Sequence, residues 1–219
     1  MRTGSPLLLR IFVILLAVAN LALLAKRLLP WHDVRNLPVN GTTGIDPMVV
    51  LVIYILLIVW ISDSKNRDFL RGLTIATGIG VLGGAALAEQ VTLSSQPQGQ
   101  SFQVRVGLLV AAAILTGVAG LLGSRTTKNP GNGIVFGAWC AMVSGMIGCG
   151  TVLLKMNVYA QQNLPPDPWK QYQGLAIGNA ATQVLVHSLL TATGFILIGP
   201  LVGAALGLVF ALLGQDQKG

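Results

Sequence analysis

Four polar residues recur at every fourth position of an otherwise apolar stretch near the end of the chain. They are Asn179, Gln183, His187 and Thr191. Residues four apart share one face of an α-helix, so the spacing predicts a single polar row. Polar and ionisable groups inside a membrane segment are typical of solute or proton pathways. One interpretation is therefore that this row lines a pathway or forms the rim of a cavity.

Two other interpretations of the polar row stay open. The row is most polar next to the preceding loop, as in a helix that lies on the membrane surface before entering the bilayer. Residues 171–183 would then form an amphipathic lead-in, with His187 as the last interfacial group. Alternatively, the row is buried and joins neighbouring helices by hydrogen bonds.

Ser144 and His187 raise an alternative of another class, an intramembrane Ser/His hydrolase. Such an enzyme needs the two side chains on neighbouring helices, together with oxyanion donors. Rhomboid-type proteases place glycine two residues before the serine and a small residue shortly after the histidine. Here Met142 and Leu189 occupy such positions. Because a two-residue match is weak, the sequence favours a non-enzymatic role.

Several site types are not expected. His187 is the one imidazole within the predicted membrane segments and no carboxylate lies mid-span, so neither a metal site nor a cofactor is predicted. Cys140 and Cys149 are nine residues apart, about 13 Å along a helix, too far for a disulfide. The net charge is +7, but the basic residues are scattered near span ends. Nucleic-acid binding would need a clustered basic face.

The composition predicts an all-α integral membrane protein. Hydrophobic residues make up 53% of the chain, charged residues 10%, and the mean hydropathy is +0.72, whereas soluble domains carry about 25% charge. The apolar residues form blocks of membrane-spanning length, which predict about six transmembrane helices in one polytopic domain, 1–219. The predicted spans are 7–29, 47–62, 70–89, 104–123, 133–155 and 184–214.

Small residues at every fourth position predict how these helices pack. In lipid, helices associate through close backbone approach and van der Waals contact, which such rows permit. The sequence therefore predicts a bundle packed through glycine and alanine. The residues assigned to this role are Gly72, Ala76, Gly80, Gly84, Ala88, Gly137, Ala141, Gly145, Gly199, Gly203 and Gly207. A lone amide, Asn20, is expected to form a helix–helix hydrogen bond.

The stretch 171–214 is too long for one simple crossing. As a single helix it would extend about 66 Å, twice the hydrocarbon thickness of about 30 Å. We expect a surface lead-in followed by a long last span that is kinked near Gly199-Pro200. The alternative is a hairpin divided at Gly199-Pro200, which gives seven spans in all and a short second half of about 14 residues, or 21 Å.

Basic residues and loop lengths predict the orientation. Eight of the fourteen Lys and Arg residues fall on the side of the termini, where the connecting loops are also short. This distribution favours both termini in the cytoplasm, with the protein in a bacterial inner (cytoplasmic) membrane. The first span is expected to be an uncleaved anchor, with a signal peptide as the alternative.

These features predict a multi-pass membrane protein that is not an enzyme. Its expected role is either a small permease-like module or an integral subunit of a larger membrane complex. The lipid bilayer is the expected partner, together with further copies of the chain or other membrane subunits, and nucleic acid is not expected.

Overall fold

The computed structural model describes residues 6–28, 45–62, 64, 66–93, 101–159 and 180–214. This part of the chain is helical, without β-strands. Its six helices are α1 (Pro6–Leu28), α2 (Ile45–Ser62), α3 (Arg67–Leu93), α4 (Ser101–Thr127), α5 (Asn132–Tyr159) and α6 (Ala180–Leu213). Helical structure and apolar composition together confirm the predicted all-α membrane protein.

Five helices of the described part are long and apolar enough to cross a membrane. Their apolar segments are Leu8–Lys26, Arg67–Leu93, Phe102–Thr127, Asn132–Asn157 and Ser188–Leu213. The apolar part of α2, Met48–Ile61, is shorter. A sixth crossing therefore stays a prediction. Most of the predicted amphipathic lead-in, 171–179, lies outside the described residues.

Helices α3 and α4 extend three or four residues beyond the predicted spans at each end. Local hydrogen bonds explain the extension. The Asn66 side-chain oxygen accepts from the backbone N–H of Asp68 at 3.0 Å and so caps the start of α3. At the end of α4, Lys128 adopts a φ of 53° and the Asn129 N–H donates to the Ser124 carbonyl at 3.2 Å. This Schellman-type turn satisfies carbonyls that the helix end leaves free.

Helix α5 is the centre of the bundle. It packs against α1, α3, α4 and α6, whereas α2 packs on α1 and a small part of α6. Within an apolar stretch of 18 residues of α5, 72% of the residues are buried, against 44% or less in the equivalent stretches of the other four membrane-length helices. The other helices therefore face the surroundings while α5 is enclosed.

Helices α5 and α6 run antiparallel and meet backbone to backbone. A Cβ atom added to Gly137 would overlap the carbonyl oxygen of Gly203 and lie 2.8 Å from the Cα atom of Gly207. Gly120 of α4 packs against this contact between α5 and α6. A Cβ atom added to Gly120 would lie 2.8 Å from the Gly207 oxygen and 3.0 Å from the Gly133 oxygen. Three helices thus approach one another at positions where only hydrogen fits.

Helices α3 and α5 combine close approach with hydrogen bonds. A Cβ atom on Gly80 would lie 2.9 Å from the Cys140 carbonyl oxygen. The Ser144 hydroxyl donates to the Gly80 carbonyl at 2.8 Å. One turn away, the Trp139 indole donates to the Thr77 hydroxyl at 2.8 Å. Each of these buried side chains therefore has a partner on the neighbouring helix, as an apolar interior requires.

Asn20 joins α1 to the centre. Its amide nitrogen donates to the carbonyl of Met146 on α5 at 3.0 Å and to the Leu16 carbonyl at 2.8 Å. The predicted helix–helix hydrogen bond of Asn20 is confirmed. Cys140 and Cys149 are both buried free thiols.

Pro200 lies inside α6, where it deprives one carbonyl of its donor. A helix bonds each carbonyl to the N–H four residues later, and proline has no N–H, so the Ile196 carbonyl lacks its usual partner. The hydroxyl of Tyr54, a buried residue of α2, donates to this carbonyl. The helix continues unbroken through Pro200, which argues against the hairpin alternative. The kink stays a prediction.

Leucine at position 137 is expected to separate α5 from α6, because its side chain would meet the backbone of α6. Gly78→Leu is the matched control, since nothing lies within 4 Å of an added Cβ there. In unfolding by mixed micelles, we expect Gly137→Leu to lose at least about 2 kcal/mol, a large-side-chain overpacking effect. Equal stability of the two variants would contradict the close contact.

Tyr54→Phe is expected to cost about 1 kcal/mol, the scale of a hydrogen bond between membrane helices. The same change should cost little in a Pro200→Ala background, because alanine restores the donor to the Ile196 carbonyl. A double-mutant cycle of unfolding free energies measures the difference. Identical losses in both backgrounds would show that Tyr54 does not compensate for the proline.

Candidate functional site

A cavity of about 350 Å³ lies between α4 and α6. One wall consists of α4 residues between Leu109 and Thr116, and the other of α6 residues between Thr191 and Leu206. Helix α5 supplies the floor, and Leu87 of α3 closes one corner. We call this space the α4–α6 cleft.

The cleft opens sideways. At its closed end the helices touch, because Gly120 lies against Gly207 and a Cβ atom on Gly117 would lie 2.6 Å from the Phe210 ring. Beyond this contact the cavity separates them. The rim is apolar and exposed, with Ile198 60% accessible. Since exposed apolar side chains of a membrane helix face hydrocarbon, the cleft is reached from the lipid.

The residues described in the lining of the cleft are apolar apart from three with hydroxyls, Thr116, Ser144 and Thr191. The Ser144 hydroxyl donates to the Gly80 carbonyl, and the Thr116 hydroxyl donates to the Ala112 carbonyl at 2.9 Å. The Ser144 and Thr116 hydroxyls are therefore already engaged with backbone. The cleft offers shape and apolar contact more than directional hydrogen bonding.

Among the side chains that the structure describes, Thr191 is the member of the predicted polar row that reaches the cleft. Thr191 is half-buried and lines the cavity. His187 and Gln183 fall in α6, one turn and two turns before Thr191. Their side chains are outside what the structure describes. Asn179 lies outside the described residues altogether. The helical register places His187 on the same side of α6 as Thr191, and a polar rim at this position stays a prediction.

Ser144 and His187 lie at different levels of the bundle. Gly145 of α5 lies against Phe195 of α6, where an added Cβ would be 2.5 Å from the Phe195 oxygen. In this antiparallel pairing Ser144 is level with Ile196, and His187 lies nine residues away, about 13 Å along the helix. The arrangement gives the hydrolase alternative no support.

The predicted packing residues lie mostly at helix contacts. The buried members are Gly72, Ala76, Gly80, Gly84, Gly137, Ala141, Gly145, Gly203 and Gly207, and the half-buried ones are Ala88 and Gly199. Ala141, Gly145, Gly199 and Gly203 also line the cleft. Whether these rows drive helix association stays a prediction.

None of the α4 residues that line the cleft is among the site residues that the sequence predicts. Its signal is present in the sequence, because Ala112, Thr116 and Gly120 are spaced by four and form a face of small residues. That pattern indicates close packing. Only the structure shows that the same face contacts α6 at Gly120 and borders the cleft at Ala112.

Neither a metal-binding group of residues nor a comparison with known proteins adds evidence about the site. Among the described residues, no group of three or more His, Cys, Asp or Glu side chains is placed to hold a metal ion. No protein-family model, curated protein or solved structure matches this chain. The cleft is therefore the candidate site on its geometry alone.

Ser144→Ala separates a packing role from a catalytic one. We expect the variant to lose about 0.6 kcal/mol of stability, the mean for hydrogen bonds between membrane helices, because the Gly80 carbonyl loses its donor. A fluorophosphonate probe should label neither the wild-type protein nor the variant. Labelling of the wild type that disappears in Ser144→Ala would contradict this expectation and support the hydrolase.

Proposed function

We propose that the protein is a non-enzymatic, permease-like membrane module that binds an apolar or amphipathic molecule in the α4–α6 cleft. The observation that carries the proposal is the cleft itself, an apolar space of about 350 Å³ with an exposed apolar rim. Its size is near the lower end of the range of about 300–1,000 Å³ typical of small-molecule sites. It would hold one small molecule or one hydrocarbon chain.

The polarity of the lining supports an apolar ligand over a hydrophilic solute. A hydrophilic solute leaves its hydration shell on binding and needs several convergent polar groups in return. In the cleft, the hydroxyls of Ser144 and Thr116 already donate to backbone carbonyls. An apolar molecule arriving from lipid loses no hydrogen bonds, so packing against the walls is sufficient to select it by shape.

The polar row would serve the polar end of an amphipathic ligand. Thr191 is at the cleft, and His187 and Gln183 follow along α6 towards the loop that precedes it. In this proposal the row is the rim of the site, and His187 is its principal polar group. A hydrocarbon chain would lie below Thr191, between α4 and α6.

Orientation and membrane belong to the proposal as well. We place both termini on the cytoplasmic side of a bacterial inner membrane, with six crossings. The short turns between α2 and α3 and between α4 and α5 lie on the side of the termini, with Arg67, Arg125 and Lys128 at their edges. This excess of basic residues supports a cytoplasmic position. The end of the cleft at Leu109 and Thr191 would then lie in the outer leaflet.

A photoreactive long-chain alcohol tests this function in lipid nanodiscs. We expect its adducts, mapped by mass spectrometry, to concentrate on the cleft residues Ala113 and Ile198. Gly194→Leu should remove them, because nothing lies within 4 Å of a Cβ added to Gly194 and the new side chain would fill the cleft. Gly107→Leu is the matched control, since it also has open space and lies outside the cleft lining.

Two results would overturn the proposal. Adducts spread evenly over lipid-facing residues such as Leu56 would show that the cleft holds no ligand. Equal cleft labelling in Gly194→Leu and Gly107→Leu would show that the adducts come from the outer surface of the helices.

A further inference from the structure

The cleft wall of α4 continues to a basic residue. Leu109, Ala112 and Thr116 line the cavity, and Arg105 precedes Leu109 by one turn. Residues at these spacings share one face of a helix. Arg105 therefore lies one turn beyond the Leu109 end of the cleft, on the side of the membrane where α4 begins.

Arg105 is half-buried and incompletely paired within the described structure. Its Nε atom is buried, and no described residue accepts a hydrogen bond from it. A guanidinium group taken out of water needs acceptors, because an unsatisfied donor on a charged group is costly. Phosphate oxygens match the fork geometry of arginine and form short charge-assisted hydrogen bonds with it.

The length of the wall matches one leaflet. Arg105 and Thr116 are eleven residues apart, which is about 16 Å along a helix. Half of a hydrocarbon core of about 30 Å is about 15 Å. A lipid chain whose headgroup sits at Arg105 would therefore extend along the cleft to the middle of the bilayer.

We infer that the occupant of the α4–α6 cleft is an anionic phospholipid of the surrounding bilayer. One acyl chain lies between α4 and α6, and the headgroup phosphate binds Arg105. The inference rests on the proposed function, whose ligand class it names. A zwitterionic lipid also carries a phosphate, but its own cation offsets the attraction of Arg105.

The test compares two diazirine-bearing lipids in nanodiscs, phosphatidylglycerol and phosphatidylcholine, each labelled in the acyl chain. We expect cleft adducts to favour phosphatidylglycerol about fivefold, the effect of one basic residue at an anionic surface. Arg105→Gln should reduce the ratio to about one, whereas Arg125→Gln, the same change at the opposite end of α4, should preserve it. A ratio of one in the wild type, or a preference that survives Arg105→Gln, would overturn the inference.

The uncharged long-chain alcohol distinguishes the two possible failures. It should label the cleft in Arg105→Gln as in the wild type, which also shows that the variant retains its fold. If the alcohol labels the cleft while the two phospholipids label it equally, the anionic lipid is wrong and the binding module stands. If the alcohol does not label the cleft, both proposals fail.

Discussion

The direct backbone contact between α5 and α6 is the constraint on which the rest of the bundle depends. Hydrocarbon provides no hydrophobic drive for helix pairing, so attraction comes from van der Waals contact at short range. Gly137 and Gly203 leave room for that contact, and Gly120 brings α4 to the same place. Because α4 and α6 are joined at one end only, the space beyond the junction is the α4–α6 cleft.

Several polar groups of the bundle hold the structure together, so fewer polar groups are left to bind a ligand. Ser144 and Asn20 bond carbonyls of neighbouring helices, and Tyr54 supplies the donor that Pro200 cannot. In lipid, each backbone group must find such a partner inside the protein. In the proposed binding role, selectivity comes from the shape of the cleft and from Arg105, since the Ser144 and Thr116 hydroxyls of its lining already donate to backbone carbonyls.

Composition and residue spacing predict the helices well, because the lipid solvent imposes length and apolar character on each of them. The cleft could not be predicted from the sequence. It depends on where α4 and α6 separate, whereas residue spacing indicates only which residues share a helix face. Pro200 implies that the Ile196 carbonyl needs a new donor, but nothing in the sequence selects Tyr54 for it. Of the polar row, Thr191 is the member that the described structure relates to a cavity.

Disulfide cross-linking in membranes tests most directly whether α4 and α6 touch at one end and separate at the other. In a variant without the two native cysteines, the pair Gly117→Cys and Phe210→Cys should oxidise rapidly, because a disulfide needs Cα atoms within about 7 Å. The pair Ala113→Cys and Ile198→Cys, across the cleft, should join only through a longer bifunctional reagent. Equally rapid oxidation of both pairs would mean that the helices are in contact throughout and that the cleft does not exist.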